Sequence, residues 1–150
     1  MGDFRNRPNG VNTLEANWEA LYILTKHWKT DLLFYRDDLI FLDHLIDKYI
    51  IWISKKEDME AVRNIDNSIL KTAKNCTDLL KMVDKHLTHL VNLIENPFRY
   101  DSHSFRAEHQ QLEDDITNFV KAFRNNRREV FEVTKMVMDS DEFIRQFVVV

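Results

Sequence analysis

Glycine is almost missing from this chain. Of 150 residues only Gly2 and Gly10 are glycine, and none follows position 10. Phosphate-cradling loops, dinucleotide-binding turns and nucleophile elbows all need glycine where backbone approaches a ligand or turns sharply. Enzymes built on those devices are therefore excluded. Proline is as scarce, at Pro8 and Pro97, so the chain between them is free to run as long, unbroken helices. Cys76 is the single cysteine, which rules out an intramolecular disulfide and fits a reducing cytoplasm. Long apolar runs are lacking too. The most apolar stretch, 39–53, carries Asp43, His44, Asp47 and Lys48, so no membrane span is expected. Residues 1–12 have no apolar core and do not read as a signal peptide. Charge of one sign is not in excess: 21 basic and 25 acidic residues give a formal net charge of −4. That balance offers no general attraction to nucleic acid or to an anionic membrane.

What the chain does have is a heptad rhythm. Leu14, Trp18, Leu21, Thr25, Trp28, Leu32, Tyr35, Leu39, Leu42, Ile46, Tyr49 and Ile53 follow one another in alternating steps of four and three. Such spacing makes the seam of a helix that packs lengthwise on other helices. A second seam runs Val62, Asp66, Ile69, Ala73, Cys76, Leu80, Val83, Leu87, Leu90, Ile94. A third runs Phe105, His109, Leu112, Ile116, Phe119, Phe123, Asn126, Val130, Val133, Val137. Asn96-Pro97 ends the second helix, because the residue before proline is pushed out of the helical region. Thr13 and Ser104 are the expected N-caps of the first and third helices.

The expected fold is all-α: an up-down-up antiparallel bundle of three long helices, at about 14–53, 59–95 and 105–138. It is preceded by a flexible tail at 1–12 and followed by a short helix or frayed apolar segment at 141–150. A four-helix bundle is the alternative if the first helix breaks near Thr25 or a C-terminal helix docks.

The first helix carries a second apolar face. With Leu14 at a d position, Leu33 and Ile40 fall at b, Phe34 and Phe41 at c, Ile23 and Ile51 at f, flanked by Asp37, Asp38 and His44. These positions lie away from the seam. The other helices mostly place Lys, Asn, Asp and Arg there, with Met82, Phe131 and Met138 as exceptions. An exposed stripe of this kind marks an interface, so a homodimer or docking of another helical protein is expected through Leu33, Phe34, Asp37, Ile40, Phe41 and His44. The alternative is that this helix is sandwiched by the other two.

Few constellations carry chemistry. Folding about the loops brings His27, Asp31, His86, His109 and Glu113 to one height. Imidazole and carboxylate on facing helices are how bundle metal sites are made. His109 takes a core position, His86 a flanking one and His27 one facing away. The competing expectation is surface i,i+4 pairs and one buried histidine bonded to Thr25. Asp31, Asp37, Asp38, Asp43 and Asp47 spread over several faces and read as a solvated surface. Lys121, Arg124, Arg127 and Arg128 are too narrow a basic field for nucleic acid. Thr25, His109 and Asn126 are polar at seam positions, where such residues fix register. The sequence thus predicts a non-enzymatic bundle acting through protein–protein contact, with no cofactor. A metal- or small-ligand-binding bundle around the histidines is the runner-up.

Overall fold

The structure is a computed structural model that describes residues 17–53, 55–96 and 102–140. Those residues form three α-helices: α1, Trp18–Tyr49; α2, Lys56–Glu95; and α3, Ser102–Met138. A 3-10 turn, Ile50–Trp52, follows α1, and no strand occurs among the described residues. The helices pack against one another as an all-α three-helix bundle. The tail at 1–12, the expected cap Thr13 and the segment 141–150 lie outside the described residues.

The helix ends follow from local chemistry. Asn17 caps α1, its Oδ1 accepting from the Ala20 N–H at 2.8 Å, which satisfies a donor that the first turn leaves free. The helix passes through Thr25 without a break. It ends four residues earlier than the apolar rhythm predicts. With no glycine to close it in a left-handed turn, the chain tightens into the 3-10 turn, and the Ile53 N–H bonds the Ile50 carbonyl at 3.1 Å. Helix α2 starts three residues earlier than expected, because Glu57 and Asp58 in its first turn suit the positive end of the helix dipole. Helix α3 also starts early, at Ser102, so Ser104 lies inside its first turn instead of capping it.

The chain divides into two compact units, each holding a segment of all three helices. The first comprises residues 1–35 and 75–120. Its core contains Leu21, Leu90, Leu93 and Phe105, with Trp18 and Tyr22 packed against them. Trp18 meets the edge of Phe105 at 5.4 Å, and the Arg106 guanidinium lies over Trp18 at 4.2 Å. Cys76 is buried and donates from Sγ to the Leu32 carbonyl at 3.3 Å, so it behaves as a core residue. Lys29 pairs with Asp84 at 2.7 Å. As α1 advances from Leu21 to Leu32, its partners on α2 recede from Leu90 to Cys76, so the two run antiparallel in this unit.

The second unit comprises residues 36–74 and 121–150. Leu39, Leu42, Ile46, Ile53, Val62, Ile69, Phe123, Val130, Val133 and Val137 are its buried apolar side chains. Asn126 donates from Nδ2 to Ser68 Oγ at 2.9 Å, tying α3 to α2.

The seams of α1 and α3 match burial closely, and all ten expected positions of α3 are buried. On α2 the buried stripe is rotated. Thr72, Leu79, His86 and Leu93 are buried, while Ala73, Leu87 and Ile94, their expected counterparts, are only half-buried. A helix with two neighbours buries a wider stripe than a two-stranded seam does, and the row one residue back is the one covered.

Candidate interaction face and buried polar sites

The outer face of α1 stays uncovered within the chain. Phe34 is 64% exposed, Phe41 57%, Ile23 54% and Ile40 50%. Asp37 and His44 are exposed beside them, and Leu33 is half-buried. Ile51, in the 3-10 turn, is the most exposed of the set at 76%. The sandwiched arrangement is thereby overturned: among the described residues α1 is covered on one side only. Phe34 touches Tyr35 edge-on at 6.4 Å, and the Arg36 guanidinium stands 3.9 Å from the Asp37 carboxylate. On α2 and α3 the exposed large apolar residues are Leu70, Met82, Val91, Phe131, Met136 and Met138. Phe131 has the Arg127 guanidinium over its ring at 5.3 Å, which gives it a polar cover. The basic cluster of α3 is likewise engaged locally, with Arg128 donating to Asn125.

The histidines sort into two groups. His27 is exposed, so the structure does not bring it to the others, and Asp31 is half-buried. His86, His109 and Glu113 are buried, so the expectation of surface pairs fails for His109 and Glu113. His86 Nε2 and His109 Nδ1 share a hydrogen bond of 2.7 Å, one ring donating and the other accepting. His86 lies flat on Phe105 at 4.5 Å, and His109 stacks on Trp28 at 4.7 Å. Burial pushes His86 down to about 4, with His89 adding repulsion, so this ring is neutral at pH 7. The Thr25 hydroxyl does not bond His109. It turns back to the Leu21 carbonyl at 2.7 Å, as a mid-helix threonine can. Thr25 therefore satisfies itself and specifies no register, whereas His109 and Asn126 link separate helices.

Two imidazole nitrogens on one tetrahedral zinc, each about 2.0–2.1 Å from it, stand about 3.3 Å apart. The 2.7 Å contact is instead a direct hydrogen bond, in which each ring nitrogen takes the other as its partner. The expected metal set thus reduces to a buried pair with a buried carboxyl in the same unit.

Beside that pair, α2 and α3 form an open groove of about 640 Å³, lined among others by Met82, His86, His89, Glu108 and Leu112. These residues recur at helical spacing on both walls. His86 forms part of the wall because it belongs to the rotated stripe of α2, with Thr72, Leu79 and Leu93.

A carboxyl cluster occupies the second unit. Oxygens of Asp43, Asp47 and Asp66 lie within 4.8 Å of one another. A hydrogen bond with Asp43 raises Asp66 to about 7, and burial and the charges of Asp43 and Asp47 act the same way. Asp43 and Asp47 are one turn apart on α1 and meet the polar break in the α2 seam, so they do not belong to a purely solvated surface. Oxygen donors so placed hold a shared proton, and their type suits a hard divalent cation. No helix among the described residues is long and apolar enough to cross a membrane. Compared with family models, curated proteins and solved structures, the chain finds no match, so function rests on its own geometry.

Proposed function

We propose that this chain is a non-enzymatic helical-bundle protein that works in the cytoplasm through protein–protein contact, first with a second copy of itself, across the outer face of α1. The observation that carries the reading is the exposure of Phe34, Ile40 and Phe41 on one helix. Large apolar side chains repeated along one face lose their contact with water when a partner covers them. A symmetric dimer is the commonest closed assembly. The test compares the solution mass of the native chain with that of Phe34→Glu/Phe41→Glu, with circular dichroism as the folding control. A native dimer and a helical monomeric variant support the reading. Equal masses for the two proteins contradict it.

The groove beside His86 favours a second reading, a small-ligand-binding bundle, since its volume of about 640 Å³ falls in the range of ligand pockets. Its lining is mixed, with Lys85 contributed by α2 and Glu108 and Asp115 by α3. Narrowing it with Leu112→Trp abolishes binding of any small molecule that co-purifies with the native chain. A native chain that carries none removes this second reading.

A further inference from the structure

The second unit holds a contact between α1 and α2 that needs a proton to form. Asp43 and Asp47 stand one turn apart on α1, and oxygens of these two and of Asp66 on α2 lie within 4.8 Å of one another. Asp66 shares a hydrogen bond with Asp43. Ionised carboxylates only accept, so a hydrogen bond between two of them exists only while one carries a proton. The Oδ1 of Asp66 is sealed from solvent and has no hydrogen-bond partner among the described residues. Ionisation therefore places charge on an oxygen that neither water nor a donor solvates.

Nothing packed against Asp66 offsets that charge. The charges acting on it are those of Asp43 and Asp47, and both oppose its ionisation. On α1, Lys48 lies over the Tyr49 ring at 5.8 Å, and His44 is exposed. On α3 the buried side chains of this unit are uncharged: Phe123, Asn126, Val130, Val133 and Val137. Its Arg127, Arg128, Glu132 and Lys135 are exposed, and Glu129 accepts from Asn125. On α2 itself, Arg63 and Lys71 are exposed.

We propose that this contact is a pH-sensitive latch: one proton shared by Asp43 and Asp66 holds α1 to α2 in the second unit, and its loss leaves three carboxylates that push the two helices apart there. Asp66, raised to about 7, gives up that proton near neutral pH. The latch is complete below about pH 3.8, the ordinary value for this carboxyl, and is lost as pH rises through 7. The first unit responds in the opposite sense, because its buried His86 is lowered to about 4 and must stay neutral.

Amide hydrogen exchange between about pH 4 and 8, with EDTA present so that only protons bind, reads the latch residue by residue. Opening, corrected for the intrinsic exchange rate, is followed at residues 43–47 and 62–69. Leu21, Leu24, Leu90 and Leu93 of the first unit are the control. Asp66→Asn keeps a donor for Asp43 without titrating, and Asp43→Asn does the same for Asp66. In the native chain, opening is expected to rise several-fold per pH unit up to about pH 7 and to level off above it, with tenfold per unit the limit for one proton. Both variants are expected to show a flat profile. Native opening that does not change over this range overturns the latch. A rise that persists in both variants also overturns it, by placing the titrating group elsewhere. A rise of equal size at the control amides overturns it as well, because the opening is then global.

Discussion

The two faces of α1 are built from the same kinds of residue and have opposite fates. The inner face holds Leu21, Leu24, Trp28, Leu32, Leu39, Leu42 and Ile46, all buried. The outer face holds Ile23, Phe34, Ile40 and Phe41, at least half exposed. Side-chain chemistry cannot account for the difference, because phenylalanine and isoleucine leave water as readily as leucine does. The difference is supply: α2 and α3 cover one side of α1 and stop there. The lesson is that an apolar helix face marks a need for a partner, and geometry decides whether the same chain provides it.

Removing a side chain from the covered face has the largest effect. Leu32 is completely buried, and Leu32→Ala is expected to cost about 2–5 kcal/mol through lost contacts and a residual cavity. Urea unfolding measures this, and a loss below about 1 kcal/mol would place Leu32 outside a well-packed core. The ring stack against that face gives a pH dependence of comparable size. His86 is held neutral down to about 4, whereas its unfolded form takes a proton near 6.5. Its contribution is complete above pH 6.5 and is lost as pH falls towards 4, about 3 kcal/mol in all. Asp66, raised to about 7, has the opposite sign: its contribution is complete below about pH 3.8 and is lost as pH rises through 7. The His86 slope is therefore measured in an Asp66→Asn background, and a flat profile between pH 6.5 and 4 would contradict the buried neutral ring.

His109→Leu comes next. It leaves His86 Nε2 buried without its partner, which costs about 1–3 kcal/mol. The double variant His86→Leu/His109→Leu is expected to recover most of that loss, and a double-mutant cycle reads the coupling. Additive losses would show that the 2.7 Å contact holds no shared hydrogen bond. The smallest effect belongs to the uncovered face. Phe41→Ala is expected to change the stability of the isolated chain by no more than about 0.5 kcal/mol, while weakening self-association. A loss as large as that of Leu32→Ala would mean that α1 is covered by its own chain.

Much of this was legible before any coordinates. Periodicity fixes which side of a helix is apolar, so the α1 and α3 seams and the two-faced α1 follow from spacing, whereas spacing left a break near Thr25 open and the unbroken helix from Trp18 to Tyr49 closes that question. The end of α2 follows from Pro97. The rotation of the α2 stripe was not legible. Ala73, Leu87 and Ile94 form a more apolar set than Thr72, His86 and Leu93, and only three-dimensional packing buries the second. The candidate site divides in the same way. The exposed stripe was readable as a pattern, and its lack of cover was not. The His86–His109 hydrogen bond, the burial of Glu113 and the Asp43–Asp47–Asp66 cluster depend on which residues of separate helices face each other within each unit. One sequence cannot supply that.

The measurement that bears most directly on the uncovered face is covalent footprinting of aromatic side chains over a dilution series. Phe131 on α3, exposed to 48%, serves as the internal reference. The prediction is that labelling of Phe34 and Phe41 falls as concentration rises while labelling of Phe131 stays constant. Constant labelling of all three at every concentration would contradict the assignment of α1 as the surface through which this protein acts.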